Sequence, residues 1–126
     1  MLPKDKFYHE GEFSVSDCLF CKIAAGEIPA KKVYEDERVF AFHDIEPQAP
    51  THFLVIPKEH IHSCGAVTPA NSAVVGHIFE VIARVAEELG MSDFRVVSNC
   101  GPQAGQSVAH LHFHVLGGRD MTWPPG

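Results

Sequence analysis

Three histidines stand at alternating positions near the C-terminus of the chain, His110, His112 and His114. Side chains of a β-strand alternate between its two faces, so this spacing places the imidazoles on one face, roughly 6.6 Å apart. The apolar residues between them then enter the core. Histidine titrates near neutral pH and attacks phosphorus well. The row is interpreted as a metal site, a proton relay, or a nucleophile with supporting groups, and the spacing leaves all three open.

A glycine-containing segment, residues 99–107, directly precedes the histidine row and is called the glycine loop below. Gly101 and Gly105 permit unusual backbone angles, so successive N–H groups can converge on a phosphate. Ser107 adds a hydroxyl group. Glycine spacing alone is more typical of an ordinary hairpin loop, but the position immediately before the histidine row favours phosphate binding.

The chain has four cysteines, and two of them, Cys18 and Cys21, have a spacing typical of metal ligands. Because the N-terminal residues show no export signal, we expect reduced thiols rather than disulfides. The Cys-x-x-Cys spacing is a weak signal, since a tetrahedral zinc site needs two further ligands brought in by the fold. Cys64 is expected to be structural or exposed. Two interpretations of Cys100, in the glycine loop, stay open: an oxidisable thiol or a buried inert one.

The pattern of apolar and turn residues predicts an α+β domain built on an antiparallel sheet. A short helix is expected from Asp17, its N-cap, through Ala25. A long helix is expected from Thr68-Pro69 to Gly90. Its apolar stripe comprises Val75, Ile78, Ile82, Val85 and Leu89, widened by Val74 and Val81. Strands are predicted over residues 32–35, 39–43, 52–57, 94–98 and 108–116.

Length and charge narrow the class of protein. A chain of 126 residues fits one compact domain. Residues 1–16 show no clear periodicity of apolar residues, so they are predicted to be a flexible N-terminal arm. A formal net charge of −6 gives no basic field that would attract nucleic acid or an anionic membrane. No apolar run approaches the roughly 18 residues of a membrane helix. We therefore expect a cytoplasmic protein.

Residues 17–126 resemble the histidine triad (HIT) nucleotide-binding superfamily, and specifically its Hint branch of purine nucleoside phosphoramidases. The histidine row followed by Val115-Leu116 carries the resemblance. Supporting segments are Phe42-His43-Asp44-Ile45, Pro47-Gln48-Ala49-Pro50-Thr51-His52, Ile56-Pro57-Lys58, Gly105-Gln106-Ser107-Val108 and Trp123-Pro124-Pro125-Gly126. The resemblance implies a HIT-like fold with a five-stranded antiparallel sheet, one long helix and a short N-terminal helix. It further implies that protomers pair through the long helix and a sheet edge into a ten-stranded homodimer.

The resemblance also implies an activity, cleavage of the P–N bond of adenosine or other purine nucleoside 5′-phosphoramidates through a nucleotidyl-histidine intermediate. His112 would be the nucleophile, and the product would be AMP with an amine. The remaining catalytic residues would be His114, His52, His110 and Ser107. Residues matching the nucleotide-binding positions are Phe20, Phe42, His43, Asp44, Ile45, Asn99, Gly105, Gln106, Ser107, Val108, His112, His114 and Trp123. Leu19, Ile23 and Leu54 match the pocket around the base, with core packing as the competing interpretation.

Zinc-containing relatives suggest a ligand set. Its members here would be Cys18, Cys21, His60 and His110, a structural site without an organic cofactor. Three alternatives remain at this stage. The chain resembles, less closely, the branch that cleaves dinucleoside polyphosphates. It could be a nucleotide-binding regulatory dimer with weak catalysis. The histidine row could also hold a catalytic metal.

Overall fold

The computed structural model describes residues 17–126, so the predicted arm, residues 1–16, lies outside the described residues. The helices are α1 (Leu19–Ala24) and α2 (Ser72–Glu88). The strands are β1 (Lys32–Glu35), β2 (Val39–His43), β3 (Thr51–Pro57), β4 (Phe94–Val97) and β5 (Phe113–Gly117). Short 3₁₀ turns occur at Cys64–Ala66 and Pro102–Ala104. Among these residues, no helix is long and apolar enough to span a membrane.

The five strands form one antiparallel sheet in the order β1-β2-β3-β5-β4, which confirms the predicted α+β fold. The central strand β3 pairs with both β2 and β5. Leu54 stands opposite His114, so His52 lies diagonally across from His114 on the same face of the sheet. Diagonal neighbours on one face are within reach of ring side chains. The sheet therefore brings together two histidines that lie far apart in sequence.

Apolar residues cover both faces of the sheet. On one face, Phe53, Val55 and Val115 pack against the buried side of α2. On the other face, Leu54 and Ile56 pack with α1. Because both faces of β3 are covered, its sequence is a nearly continuous run of apolar residues, which is typical of a central strand. His52, only 4% exposed, is the polar residue in that run.

The long helix begins later than predicted, at Ser72 instead of the Thr68-Pro69 pair. Asn71 Oδ1 accepts a hydrogen bond of 2.7 Å from the Thr68 N–H, and the Asn71 N–H donates to the Thr68 carbonyl. This reciprocal pair makes a turn before the helix. Of the predicted stripe, Ile78, Ile82 and Val85 are buried, with Val74 and Val81. Val75 is partly buried, but Leu89 is 43% exposed because it lies beyond the last helical turn.

The start of α1 also differs from the prediction. Cys18, not Asp17, is the N-cap, and its sulfur accepts the N–H of Cys21 at 3.3 Å. A sulfur atom thus takes the place of the usual oxygen acceptor at a helix N-terminus. This cap orients the Cys18 thiol and fixes the backbone of Cys21 next to it.

The last strand begins at Phe113, so the prediction of a strand from Val108 was wrong at its start. The backbone before it is bonded elsewhere: the Leu111 N–H donates to the Ile61 carbonyl at 2.6 Å, and Ser98 Oγ donates to the His112 carbonyl. The alternation of faces nevertheless holds. Leu111 and Phe113 are in the core, while His110 and His112 point to the opposite side.

A surface ion pair joins α2 to the β1–β2 turn. His77 Nε2 lies 2.6 Å from Asp36 Oδ2, and Tyr34 donates to the same carboxylate. Hydrogen bonds to Asp36 and then Glu80 raise the pKa of His77. Burial disfavours ionised Asp36, but hydrogen bonds from His77, Arg38, Tyr34 and Val39 outweigh it and lower its pKa to about 2.

This ion pair predicts a pH-dependent contribution to stability. Because the folded-state pKa of His77 is raised, the stabilisation is complete below the ordinary imidazole pKa of about 6.5 and fades as pH rises through the folded value. We expect His77→Ala to lower the free energy of unfolding by about 1 kcal/mol at pH 5.5 and by less at pH 8.5. Urea denaturation at the two pH values measures this. Glu80→Gln is the matched control, because Glu80 is 78% exposed and should matter less. An equal loss at both pH values would contradict the assignment.

Candidate active site and metal centre

His112 is held in a single tautomer by its own chain. Its Nδ1 donates to the His110 carbonyl at 2.7 Å, so the Nε2 atom carries the free lone pair. The ring is 5% exposed and meets the edge of Phe20 at a centroid distance of 5.0 Å. Burial lowers the pKa of His112, against the opposing effect of the His110 carbonyl. At neutral pH the imidazole is therefore uncharged and able to act as a nucleophile.

A chain of hydrogen bonds orients the neighbouring imidazole, His114. The Gln48 N–H donates to His52 Nδ1 at 3.0 Å, so the proton of His52 resides on Nε2. That Nε2 lies 2.9 Å from His114 Nδ1, which must then be the acceptor. His114 keeps its own proton on Nε2. Burial, followed by the proximity of His112 and His52, lowers the pKa of His114 to about 4. His114 is therefore a neutral imidazole that offers an N–H donor two residues after His112.

Asp44 places a carboxylate beside this imidazole chain. Its Oδ2 lies 3.5 Å from His52 Nε2 and 3.9 Å from His114 Nδ1. Its Oδ1 accepts the N–H of Glu46 at 2.8 Å, which fixes the side chain in a local turn. Burial lowers the pKa of His52, while the Asp44 charge opposes that shift. Asp44 also lines an open cavity, so its carboxylate is able to accept hydrogen bonds from a ligand.

The glycine loop is held by one side chain, Gln106. Its Oε1 accepts the Gly101 N–H at 2.8 Å, and its Nε2 donates to the carbonyls of His62 and Val108. Gly101 and Gly105 have φ angles of 89° and 95°, which non-glycine residues rarely adopt. All polar groups of the Gln106 side chain thus hold the loop. A direct contact of Gln106 with nucleotide stays a prediction.

The backbone after Gln106 offers donors for an anion. Within residues 17–126, no group accepts a hydrogen bond from the N–H of Ser107 or Val108. Ser107 is half-buried and Val108 is buried. Two adjacent N–H groups at the end of a glycine-containing loop match the geometry of an anion-binding nest. Phosphate binding by these groups stays a prediction, and oxyanion stabilisation is the chemistry that they could perform.

A cavity of about 680 Å³ opens beside the imidazole chain. Its walls include four site residues predicted from the sequence, His43, Asp44, Ile45 and His52, and a charged residue that was missed, Lys31. Ile45 is 94% exposed, so its side chain is available to contact a ligand. Lys31 had no sequence signal, because it reaches the cavity only through the pairing of its carbonyl with the His43 N–H. The volume is in the range of small-molecule sites.

The other residues that were predicted to surround the nucleotide are not part of the lining of this cavity. Phe20, Phe42, Ile23 and Leu54 belong to the buried cluster under α1, so they form the floor behind His112. Leu19 is partly buried against the same cluster. Asn99 is half-buried, near Gly105. Trp123 is 81% exposed, with the Arg95 guanidinium 5.8 Å from its ring centroid, and it touches none of the described histidines.

The four predicted zinc ligands meet in one cluster. Cys18 Sγ lies 3.3 Å from His110 Nδ1, and Cys21 Sγ lies 3.3 Å from His60 Nδ1 and 3.5 Å from His110 Nδ1. The two Nδ1 atoms are 3.2 Å apart. A tetrahedral zinc ion with ordinary bond lengths needs about 3.5 Å between S and N and about 3.3 Å between two nitrogens. The donor atoms therefore fit the ion with almost no movement.

The protonation of the cluster also suits a cation. His110 Nε2 donates to the Pro57 carbonyl at 2.8 Å, so its Nδ1 presents a lone pair to the cluster. Burial, and then the neighbouring Cys18, raise the pKa of the Cys21 thiol to about 12. A divalent cation would reverse this shift because it stabilises the thiolate. His110 thus faces this cluster, whereas His112 and His114 do not belong to it.

Metal removal tests this centre. We expect the purified protein to hold one zinc per chain and Cys18→Ser to lose it, with a loss of several kcal/mol in unfolding free energy, because structural metal binding contributes to folding. Elemental analysis and thermal unfolding with and without chelator measure both effects. Cys64→Ser is the matched control, since Cys64 is exposed and outside the cluster. Chelation that abolished activity without lowering the unfolding temperature would favour a catalytic metal on the histidine row instead.

Comparisons with known proteins agree with this geometry. The HIT domain family profile matches residues 25–121. An uncharacterized HIT-like protein of Synechocystis sp. is 50% identical over 111 residues, covering 87% of this chain and 97% of that protein. The 14 kDa zinc-binding protein of Zea mays is 47% identical over 114 residues, covering 88% and 89%. The crystal structure of a HIT family hydrolase from Legionella pneumophila has a TM-score of 0.85 and 50% identity, covering 87% of this chain and all of that one.

Proposed function

Because the chain belongs to the HIT domain family, we propose that it is a hydrolase that cleaves purine nucleoside 5′-phosphoramidates through His112. The observation that carries the proposal is the buried, neutral His112 ring, whose Nδ1 is committed to the His110 carbonyl. Only Nε2 is then available for attack. The similar solved structure from Legionella pneumophila is named a HIT family hydrolase, which supports a hydrolytic reaction.

The proposed reaction has two displacements at phosphorus. His112 Nε2 first bonds to the α-phosphorus while the P–N bond breaks, and the departing nitrogen takes a proton from the Ser107 hydroxyl. Water then attacks the nucleotidyl-histidine, its hydroxide joins phosphorus, its proton returns to Ser107, and His112 is released. The products are a nucleoside monophosphate and an amine. The acid is needed because an unprotonated amine is a poor leaving group.

The surrounding groups match the charges of this reaction. The N–H groups of Ser107 and Val108, which have no acceptor within residues 17–126, would donate to the phosphoryl oxygens as negative charge grows there, and the His114 Nε2–H would add a third donor. Asp44 in the open cavity would accept hydrogen bonds from the two ribose hydroxyls. The apolar part of the wall, Ile45 with Pro47 and Pro50, suits the face of a purine.

We further propose that zinc is a resident structural ion. The four-ligand cluster, made of Cys18, Cys21, His60 and His110, would hold it, and the zinc-binding name of the Zea mays relative supports the choice of metal. Four protein ligands leave no open position for water or substrate. When bound, zinc would fix the ring of His110 and through it the carbonyl that orients His112.

The test of the proposed function is a trapped intermediate. After brief mixing with an adenosine 5′-phosphoramidate and acid quenching, we expect intact mass and peptide analysis to show a nucleotidyl adduct on His112. His112→Ala should lose the adduct and lower kcat/KM by about three orders of magnitude or more, as removal of a covalent nucleophile does. His62→Ala is a control for general histidine loss, because His62 lies outside the imidazole chain.

Three other outcomes would redirect the proposal. Faster turnover of a dinucleoside polyphosphate than of the phosphoramidate would favour the related hydrolase branch. AMP binding with neither adduct nor turnover would favour a nucleotide-binding regulatory dimer. An adduct on His114 rather than His112 would reverse the assignments of nucleophile and donor.

We also propose that two copies of the chain pair through α2 and the edge strand β4. Phe79 and Leu89 on the α2 side are 48% and 43% exposed, and Phe94 at the start of β4 is 39% exposed. β4 has a partner on one side only, so its other edge can pair with another strand. Phe79 rests against Phe113 with ring centroids 5.3 Å apart, next to the histidine row. A second copy would cover these apolar groups.

Sedimentation equilibrium tests this pairing. We expect the wild type to be a dimer and Phe79→Glu to raise the dimer dissociation constant at least tenfold, about 1.4 kcal/mol, since burying a phenylalanine contributes roughly 1.5–3 kcal/mol. Ala73→Glu adds the same charge on another part of α2 and is the matched control. Equal dissociation constants for Phe79→Glu and the wild type would exclude this surface from the interface.

A further inference from the structure

Two cysteines outside the metal cluster meet beside the glycine loop. Cys100 lies at the start of the loop, and Cys64 begins the 3₁₀ turn Cys64–Ala66. Cys100 Sγ is 3.4 Å from the hydroxyl oxygen of Ser63. Cys64 Sγ lies 3.9 Å from the Ser98 carbonyl, at the strand end that leads into the loop. Both cysteines are free and exposed, so a solvent molecule can reach either sulfur.

The surroundings of the Cys100 sulfur form a cradle of hydrogen-bonding groups. The Cys100 thiol donates to Ser63 Oγ, and once the sulfur is a thiolate the Ser63 hydroxyl can donate to it instead. Ser63 is only 5% exposed, and Cys100 is the side-chain partner of its hydroxyl. The Gly65 N–H and the Cys64 side chain also hydrogen-bond to the Cys100 sulfur. A Cβ atom at Gly65 would stand 2.8 Å from that sulfur. The close approach of sulfur to the backbone therefore requires glycine at this position.

These donors favour the thiolate form of Cys100. The hydrogen bond from Ser63 lowers the pKa of Cys100 most, followed by the Gly65 N–H, and slight burial opposes them. An exposed thiol with a lowered pKa is the microenvironment of a reactive cysteine rather than an inert one. Of the two interpretations that the sequence left open for Cys100, this geometry favours the oxidisable thiol.

We propose that Cys100 and Cys64 are a redox-active pair that a small-molecule disulfide, such as glutathione disulfide, converts to an intramolecular disulfide. The Cys100 thiolate attacks one sulfur of the small disulfide, whose S–S bond breaks, and one glutathione leaves as a thiolate. Cys64, after losing its proton to water, attacks the Cys100 sulfur of the mixed disulfide and releases the second glutathione. Two protein thiols are oxidised, and one glutathione disulfide is reduced to two glutathione molecules.

The new bond would join two segments that already share hydrogen bonds. Gln106, at the end of the glycine loop, donates to the carbonyl of His62, just before the turn that carries Cys64. Oxidation would therefore replace a hydrogen-bonded contact by a covalent one beside the N–H groups of Ser107 and Val108. The reactivity of the pair rests on contacts with Ser63, Gly65 and each other, and not on the proposed catalytic residues, so it holds whether or not the proposed phosphoramidase activity is correct.

Peptide mapping of the zinc-loaded full chain tests the proposal. After incubation with glutathione disulfide at pH 7.5, acid quenching and alkylation, we expect a Cys64–Cys100 linked peptide. Cys64→Ser should accumulate the mixed disulfide of glutathione on Cys100, because the second step is blocked. Cys100→Ser should give neither product. Ser63→Ala should slow the first step several-fold, with Ser92→Ala, an exposed serine far from the loop, as the matched control.

Several results would overturn the proposal. One is the absence of the linked peptide in the wild type. Another is glutathione on Cys64 of Cys100→Ser at the wild-type rate, which would make Cys64 the attacking thiol. Equal rates for Ser63→Ala and Ser92→Ala, both with wild-type circular dichroism, would remove the cradle as the cause. Oxidation of Cys18 or Cys21 ahead of Cys100 would show that the exposed pair is not the reactive one.

Discussion

The 2.7 Å hydrogen bond from His112 Nδ1 to the His110 carbonyl is the interaction on which the site depends. It links residues two apart in sequence, so it depends on the conformation of the backbone between them. His110 in turn is fixed twice, by the Pro57 carbonyl at Nε2 and by the four-ligand cluster at Nδ1. His110 therefore connects the Cys18–Cys21–His60–His110 cluster to His112, because its ring belongs to the cluster and its carbonyl accepts the hydrogen bond from His112. Stability of the cluster and orientation of His112 are coupled by covalent geometry.

The local pattern of residues predicted most of the fold, because each strand and helix carries its own apolar period. β1 and β2 have the predicted bounds, and β3 and β4 differ by one residue at one end. The errors fall where hydrogen bonds between distant segments override local preference. Residues 108–112 were expected in a strand. Instead, the Leu111 N–H donates to the Ile61 carbonyl, and the His112 carbonyl accepts a hydrogen bond from Ser98 Oγ. Likewise, the reciprocal bonds of Thr68 with Asn71 delay α2, which a residue-by-residue reading of cap preferences does not reveal.

The candidate site was predictable in its residue types but not in its protonation. Spacing and resemblance indicated His112, His114, His52 and the four metal ligands, and the structure brings each group together. The tautomers depend on backbone groups such as the Gln48 N–H, and sequence carries no record of which N–H will face which ring. The hydrogen-bond partners of Gln106 were likewise not evident from the sequence. Its motif suggested contact with nucleotide, while its amide is used inside the protein to hold the glycine loop.

The site is built from neutral donors. Burial keeps the imidazoles of His112 and His114 uncharged at neutral pH, and the donor that His114 meets is the neutral imidazole of His52. Such dipoles gain strength as charge accumulates on phosphoryl oxygens, and they need no reorganisation when it does. A fixed cation would hold the anionic product as firmly as the substrate, whereas aligned dipoles discriminate by position. Lys31 lines the open cavity, where its charge can attract an anion to a chain of net charge −6. The neutrality of the two imidazoles has a different origin, because burial is the largest cause of their lowered pKa and no neighbouring cation is needed.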